Sequence, residues 1–172
     1  MPTLILTVIG PDRPGLVRAL AQTVAAHGGS WLESRMARLS GQFAGIVRVE
    51  APDSLLADLR ALESEGLRIT VQSGDASASA PAGERLTLEV VGNDRPGIVR
   101  DFARILAANG VNIEELTTGV VSGSFSGETL FKATAIVRAP DAASVHAICS
   151  GLELLGNELM VDIQPVTPAP HG

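Results

Sequence analysis

Apolar residues along this chain first alternate and then recur at helical spacing. In residues 3–10, Leu4, Leu6 and Val8 share one face, which predicts a half-buried strand. The residues that follow predict a helix that stops at a glycine pair, residues 28–29. Its inward positions are Leu16, Val17, Leu20 and Val24.

Four further elements complete the first half of the chain. In chain order, the pattern predicts a hairpin of two strands, a second helix and a closing strand. The hairpin strands are residues 31–39 and 43–50, the helix is residues 51–66, and the closing strand is residues 67–72. The residues of this helix that face inward are Leu55, Leu56, Leu59 and Leu62.

The second half repeats the first. Residues 4–33 and 86–115 match at 15 of 30 positions at a constant offset of 82 residues, and each copy contains the turn Asp-Arg-Pro-Gly. The same elements are predicted there in the same order. The first strand is predicted at 85–92, and the first helix at 96–109, with Ile98, Val99, Phe102 and Leu106 facing inward. A hairpin follows at 111–121 and 129–139, with its turn at 122–127. The second helix runs from Ala139-Pro140-Asp141 to residues 156–157, and the last strand is at 159–165.

The element order βαββαβ, met twice, predicts an α+β protein with two ferredoxin-like domains. Each domain has a four-stranded antiparallel sheet with both helices on one face. We assign the two domains to residues 1–74 and 85–166. The small-residue segment 75–84 is predicted to be a linker, and residues 167–172 a flexible tail.

One face of each predicted sheet has no cover within its own domain. We assign five aliphatic strand residues to that face: Ile5, Val47, Val49, Ile136 and Val137. Edge-to-edge pairing of the domains, face-to-face packing or a second chain would each bury them. We expect a pseudo-twofold pair of domains and a homodimer.

Composition narrows the class of function. The net charge is −6, aromatic residues make up 3%, and no basic stripe is present, which argues against direct binding to nucleic acid. Cys149 is the only cysteine, so no disulfide framework exists. No leader pattern and no membrane-spanning apolar run occur, and we expect a cytoplasmic protein that does not enter a membrane.

Each Asp-Arg-Pro-Gly turn joins the end of a strand to the first amides of a helix. Those amides and the helix dipole favour a small anion, and glycine lets a ligand approach the backbone closely. The repeat therefore contains two candidate binding sites of the same design.

The turn Asp-Arg-Pro-Gly-[Leu/Ile]-Val, with Gly110-Val111-Asn112-Ile113 opening the next strand, resembles the ACT domain. That resemblance covers residues 3–73 and 85–165. It implies an amino acid bound between the turn and a neighbouring domain's counterpart. The positions it carries over are Gly92, Asp94, Gly97, Ile98, Asn112 and Ile113 in the second copy, and Gly10, Asp12, Gly15, Leu16 and Ser30 in the first.

The second copy matches the family pattern more closely. In the first copy, Ser30 and Trp31 stand where the family has asparagine and a smaller apolar residue. Two ACT-like units that fill almost the whole sequence resemble the glycine cleavage system transcriptional repressor family.

The chemistry expected at the second turn is recognition of a zwitterion. Amides of Gly97, Ile98 and Val99 would receive the carboxylate, Asp94 would accept from the ammonium, and Asn112 would bridge to either group. Alternatively, Asp94 and Asp12 cap their helices, and Asn112 only turns the chain. The adjacent arginines, Arg13 and Arg95, would clamp a carboxylate or form structural ion pairs.

No residue pattern indicates catalysis. The three histidines lack the spacing of a metal site or of a nucleophile relay. Glu114 and Glu115 are neighbours on a strand, so we expect their carboxylates on opposite faces. We expect no enzyme activity, no metal and no cofactor.

The leading hypothesis is a regulatory protein that senses a small amino acid, glycine or serine, and acts by binding another protein. The resemblance to the repressor family implies a transcription factor as that partner. The alternatives are a protein-interaction or assembly module without ligand sensing, and a detached regulatory subunit of a metabolic enzyme.

Overall fold

The computed structural model describes residues 1–74, 81–122, 127–156 and 159–166. The chain divides into two units, Met1–Ser79 and Ala80–Gly172, at a boundary inside the predicted linker. Residues 75–80, the centre of the 122–127 turn, Asn157 and the tail at 167–172 lie outside the described residues. The linker and tail assignments therefore stay predictions.

The first unit contains four strands and two helices in the predicted order. They are β1 (Thr3–Pro11), α1 (Leu16–Ala26), β2 (Ser30–Leu39), β3 (Gln42–Glu50), α2 (Leu55–Ala61) with a 3₁₀ turn (Leu62–Glu65), and β4 (Arg68–Ser73). The sheet order is β2-β3-β1-β4, and each neighbouring pair is antiparallel.

The second unit repeats this architecture. Its elements are β5 (Glu84–Asn93), α3 (Ile98–Ala108), β6 (Asn112–Ser122), β7 (Thr129–Ala139), α4 (Ala142–Glu153) and β8 (Met160–Pro165). The sheet order is β6-β7-β5-β8, again antiparallel throughout. The predicted α+β class with two ferredoxin-like βαββαβ units is confirmed.

Each unit buries one sheet face under its own helices. Alternate residues of β1 are buried and pack in one cluster with the apolar faces of α1 and α2. Both cores are mainly aliphatic, and the second also contains Phe102 and Phe131. The burial of alternate strand positions explains why period-two patterning located these strands.

Two residues predicted to face the core do not. Val17 on α1 is 45% exposed and Val99 on α3 is 41% exposed. Their neighbours Leu16 and Ile98 are buried instead. Both valines belong to the first helical turn, and both line surface depressions described below.

The assignment of residues to the open sheet face was wrong for three of five. Val47, Val49 and Val137 are fully buried among the helices. Ile5 and Ile136 are partly exposed and alternate with the buried positions of their strands. Charged residues such as Arg48, paired with Ile5 across the ladder, share the open face. An antiparallel sheet of this kind tolerates water on one side.

Among the described residues, no helix combines the length and apolarity needed to span a bilayer.

Leu6 at the centre of β1 has no solvent exposure, so Leu6→Ala should leave a cavity in the first core. We expect the free energy of unfolding of the first unit to fall by about 2–5 kcal/mol. Urea titration followed by the fluorescence of Trp31, which packs against this core and is the only tryptophan, measures the change. Leu39→Ala is the matched control, because Leu39 is 78% exposed and should change stability by less than about 0.5 kcal/mol. Equal losses in the two variants would contradict the packing described.

Candidate functional site

A left-handed glycine precedes the first helix of each unit. Gly15 has φ 94° and Gly97 has φ 81°, and the helices begin one residue later, at Leu16 and Ile98. The predicted start of the second helix at Pro96 was therefore early. A side chain at such a φ is strained, and a Cβ on Gly97 would also approach the Arg100 guanidinium at 3.1 Å.

The interpretation of Asp12 and Asp94 as helix caps was wrong. The cap positions of α1 and α3 are the two glycines, and no side chain caps either helix. Asp141 shows the contrast, because its carboxylate accepts a hydrogen bond from the Ser144 amide at 2.7 Å, which lowers the pKa of that carboxyl. Asp94 lies three residues before the Gly97 cap, and its carboxylate makes no capping hydrogen bond to α3.

The second unit has a surface depression at the turn, with a volume of about 310 Å³. It brings together three predicted site residues, Asp94, Gly97 and Ile98. Gly92 pairs in the sheet with Phe131, which lines the same depression. We call this depression the second pocket; its remaining lining residues are Arg95, Val99, Thr118, Gly119 and Val120.

The first unit has an equivalent but smaller depression of about 190 Å³. It brings together Asp12, Gly15 and Leu16, and Gly10 pairs with Phe43 at its wall. We call this depression the first pocket; its remaining lining residues are Arg13, Val17 and Arg18. Both Asp-Arg-Pro-Gly turns thus border a cavity, in accordance with the repeat.

The sheet side of both pockets was not predicted from the sequence. Phe43 and Phe131 are equivalent residues of β3 and β7, related by the offset of 88 residues that follows the longer second hairpin. Extending the repeat beyond the hairpin would have identified them. Thr118, Gly119 and Val120 carry no motif, and only strand register brings them to the turn.

Three predicted site residues lie at the other end of their own sheets. Asn112 pairs with Arg138, which in turn pairs with Arg85, whereas the turn end of β5 pairs with Phe131. Asn112 and Ile113 precede Thr118 of the second pocket by six and five residues on β6, which places them roughly 17–20 Å from it at about 3.4 Å per residue. Ser30 has the same place in the first unit, because it pairs with Glu50 and through it with Thr3.

The first amides of α3 are not all available to a ligand. Helices leave their first four amides without intrahelical acceptors. The Ile98 amide nevertheless donates to the Arg95 carbonyl at 3.3 Å, so the expectation that it receives a carboxylate needs correction. Among the described residues, the amides of Gly97 and Val99 have no backbone acceptor.

The arginines beside the two acids form ion pairs within their own units. Arg95 donates to Asp101 at 2.9 Å, and Arg100 donates to the other oxygen of this carboxylate at 3.0 Å. The Arg95 guanidinium, followed by that of Arg100, holds the pKa of Asp101 below its usual value. Arg13 instead bonds the main-chain carbonyl of Glu65 and lies 3.6 Å from its carboxylate. The repeat explains why Arg13 and Arg95 have different partners. Ala19 stands at the position equivalent to Asp101, so the first unit has no carboxylate there for Arg13.

A second ion cluster occupies the Asn112 end of the sheet. A bulge in β6 between Ile113 and Glu115 makes Glu114 an extra residue in the ladder. Glu114 accepts from Arg138 at 2.6 Å and from Arg85 at 2.7 Å, and Arg85 also donates to Glu115 at 3.3 Å. The expectation that the two glutamates face apart was wrong, because a bulge interrupts side-chain alternation.

Two further features bear on metal and thiol chemistry. Within the described ranges, no group of three or more His, Cys, Asp or Glu side chains could hold a metal ion. Cys149 on α4 is partly buried, and desolvation raises the pKa of its thiol, which keeps it protonated.

Two matches to the ACT domain cover most of the chain, at residues 2–72 and 86–145. They coincide with the two units that carry the pockets. The chain belongs to the ACT domain family.

The chain is also similar to two curated proteins, the glycine cleavage system transcriptional repressors of Escherichia coli (strain K12) and Shigella flexneri. Each is 26% identical over 121 residues, which are 67% of this chain and 63% of the relative. The match therefore spans less than two thirds of the length of those relatives.

Two solved structures have the same fold. An unknown protein from Galdieria sulphuraria is 29% identical, with a TM-score of 0.82 over 96% of this chain and 99% of its own. A protein provisionally assigned as a glycine cleavage system transcriptional repressor is 16% identical, with a TM-score of 0.68 over 95% and 98% of the two chains. The second likeness concerns the fold alone.

The Glu114 cluster should make the second unit sensitive to acid. Arg138, its strongest partner, and Arg85 hold the pKa of Glu114 below its usual value. A lowered pKa means that the charged glutamate stabilises the fold above about pH 4.3, its unfolded value, and that this stabilisation is lost as the pH falls through the folded-state pKa. Glu114→Gln should therefore be less stable at pH 7 and lose less of its remaining stability on acidification.

Urea titrations followed by circular dichroism at neutral and acidic pH test this prediction. Glu89→Gln removes an exposed charge from β5 of the same unit and should leave the pH dependence as in the unaltered chain. A Glu114→Gln curve parallel to that of the unaltered chain at every pH would contradict the role given to the cluster.

Proposed function

We propose that this protein is a non-catalytic regulator that binds a small amino acid in the second pocket. The observation that supports this most is the pairing, within one cavity, of an unpaired carboxylate with helix amides. Asp94 has no ion-pair partner among the described residues, and Gly97 and Val99 present amides at the start of an 11-residue helix.

An amino acid matches these groups in charge and in size. Its carboxylate would lie at the start of α3, where the helix dipole favours negative charge. Its ammonium would donate to Asp94, forming a charge-assisted hydrogen bond. The cavity has roughly ten times the volume of one water molecule, which suits a molecule of few heavy atoms.

We propose glycine or serine as the amino acid. The walls beside the two polar ends are largely apolar or lack a side chain, as at Val99, Gly119 and Val120. Thr118 supplies a hydroxyl within the same lining. A short side chain, with or without a hydroxyl, fits these surroundings better than a charged one does.

The similarity to the glycine cleavage system repressors supports a role in transcriptional control of glycine and one-carbon metabolism. We propose that the protein acts in the cytoplasm as a homodimer, and that its target is a transcription factor. Direct contact with DNA is not part of the proposal, because the net charge is −6. The amino acid would act through a difference in its affinity for two states of the protein.

Calorimetric titration with glycine, L-serine and the other common amino acids tests ligand binding. Asp94→Asn should weaken binding by roughly 10–100-fold, because a hydrogen bond to a charged group contributes about 1.5–3 kcal/mol. Asp12→Asn is the matched control in the first pocket. Since the Asp12 carboxylate is already bonded to Arg38, this variant should bind as the unaltered chain does.

Heat with none of the amino acids, in a sample shown to be folded, would overturn the sensing role and leave an interaction module. If Asp94→Asn and Asp12→Asn weaken amino-acid binding equally, the assignment of the binding site to the second pocket is wrong.

The proposed partner can be sought by purifying the tagged chain from its host and identifying the proteins that co-elute. We expect a transcription factor whose recovery changes when glycine or serine is added, because ligand and partner binding are thermodynamically linked. Asp94→Asn should abolish the change but not the recovery. Recovery of a metabolic enzyme instead would favour a detached regulatory subunit.

A further inference from the structure

Arg38 and Val120 occupy the same place in the two units. They are related by the offset of 82 residues, and each pairs across the ladder with the phenylalanine of its pocket, Arg38 with Phe43 and Val120 with Phe131. The backbone at the two pockets is thus equivalent, and this position differs in chemistry.

This difference determines whether the aspartate of each pocket, Asp12 or Asp94, has an ion-pair partner. In the first unit, Nε of Arg38 donates to Oδ2 of Asp12 at 2.6 Å, a short charge-assisted hydrogen bond. In the second unit, Val120 lines the pocket and offers no donor to Asp94. The first pocket is also smaller, at about 190 Å³ against about 310 Å³.

We infer that Arg38 closes the first pocket to amino acids by occupying Asp12, so that each chain binds a single amino acid, in the second pocket. This inference rests on the proposed function, since it concerns the same ligand chemistry. It makes Arg38 the residue that determines how many sites the chain has.

Competition for one acceptor is the physical basis. The Arg38 guanidinium occupies Oδ2 of Asp12 and offsets the charge of the carboxylate, so a ligand ammonium meets one remaining oxygen and a weaker electrostatic attraction. Arg38 belongs to the same chain, so its effective concentration at Asp12 is of the order of millimolar or more and does not fall on dilution. A free amino acid at lower concentration does not displace it.

Other features of the first pocket are suited to a ligand. Gly15 has the same left-handed conformation as Gly97, and α1 is as long as α3. Asp12 has the same position in its turn as Asp94. Removing the arginine alone should therefore restore a site that the second unit already has.

The experiment is equilibrium dialysis with radiolabelled glycine and L-serine, and with any other amino acid that gives heat with the unaltered chain. We expect one bound molecule per chain in the unaltered protein, two in Arg38→Val and none in Val120→Arg. Arg38→Val combined with Asp12→Asn should return to one, because the new site needs its carboxylate. Circular dichroism and Trp31 fluorescence verify folding, and Arg38→Ala provides a second variant should the valine disturb β2.

The outcomes separate this inference from the proposed function. One bound molecule in both the unaltered chain and the folded Arg38 variants would overturn the inference and leave sensing intact. Two bound molecules per unaltered chain would also overturn the inference and leave sensing intact. No binding in the unaltered chain but one molecule in Arg38→Val would support the role of Arg38 and reject the second pocket. No binding in any variant would overturn both.

Discussion

A backbone constraint at two glycines organises this protein. Gly15 and Gly97 adopt a left-handed conformation between the end of a strand and the start of a helix, and other L-residues are strained there. Because a glycine takes the cap position, the preceding aspartate is not used for capping. Its carboxylate lies instead at the border of a cavity, beside helix amides that need acceptors. One conformational requirement thus accounts for both polar ends of the proposed amino-acid site.

The two units retain this constraint and the apolar faces while their polar pairs differ. Asp101 holds Arg95 in the second unit, whereas Ala19 stands at the equivalent position and Arg13 turns to Glu65. The Arg13–Glu65 pair is exposed, and such pairs contribute roughly 0–1 kcal/mol each, whereas the Asp101 carboxylate is largely buried. The fold is retained while these polar pairs differ, because each unit has its own buried apolar cluster. Their main effect is on which charges remain available at each turn.

Periodicity and the repeat predicted the architecture well, because alternation and helical spacing record burial directly. The element order of both units was predicted, and most differences in the helices and strands concern their ends. Two of the errors arose where regular geometry is interrupted. The bulge at Ile113 and Glu115 brought two glutamates to one arginine, and the left-handed glycines took the cap positions of the two helices. Bulges and left-handed residues affect few positions, so a periodic pattern does not reveal them.

The candidate site was predicted in part, for a related reason. The turn residues Asp94 and Gly97 share a local motif, whereas the wall of the second pocket comes from strands whose register is set by the whole sheet. The bond from Arg38 to Asp12 joins residues 26 positions apart, and no local pattern links them. Once register is known, however, the repeat identifies Val120 as the equivalent of Arg38. The chain therefore contains its own comparison, in which one fold presents the same aspartate with and without a basic neighbour, and the proposed difference in amino-acid binding rests on that neighbour.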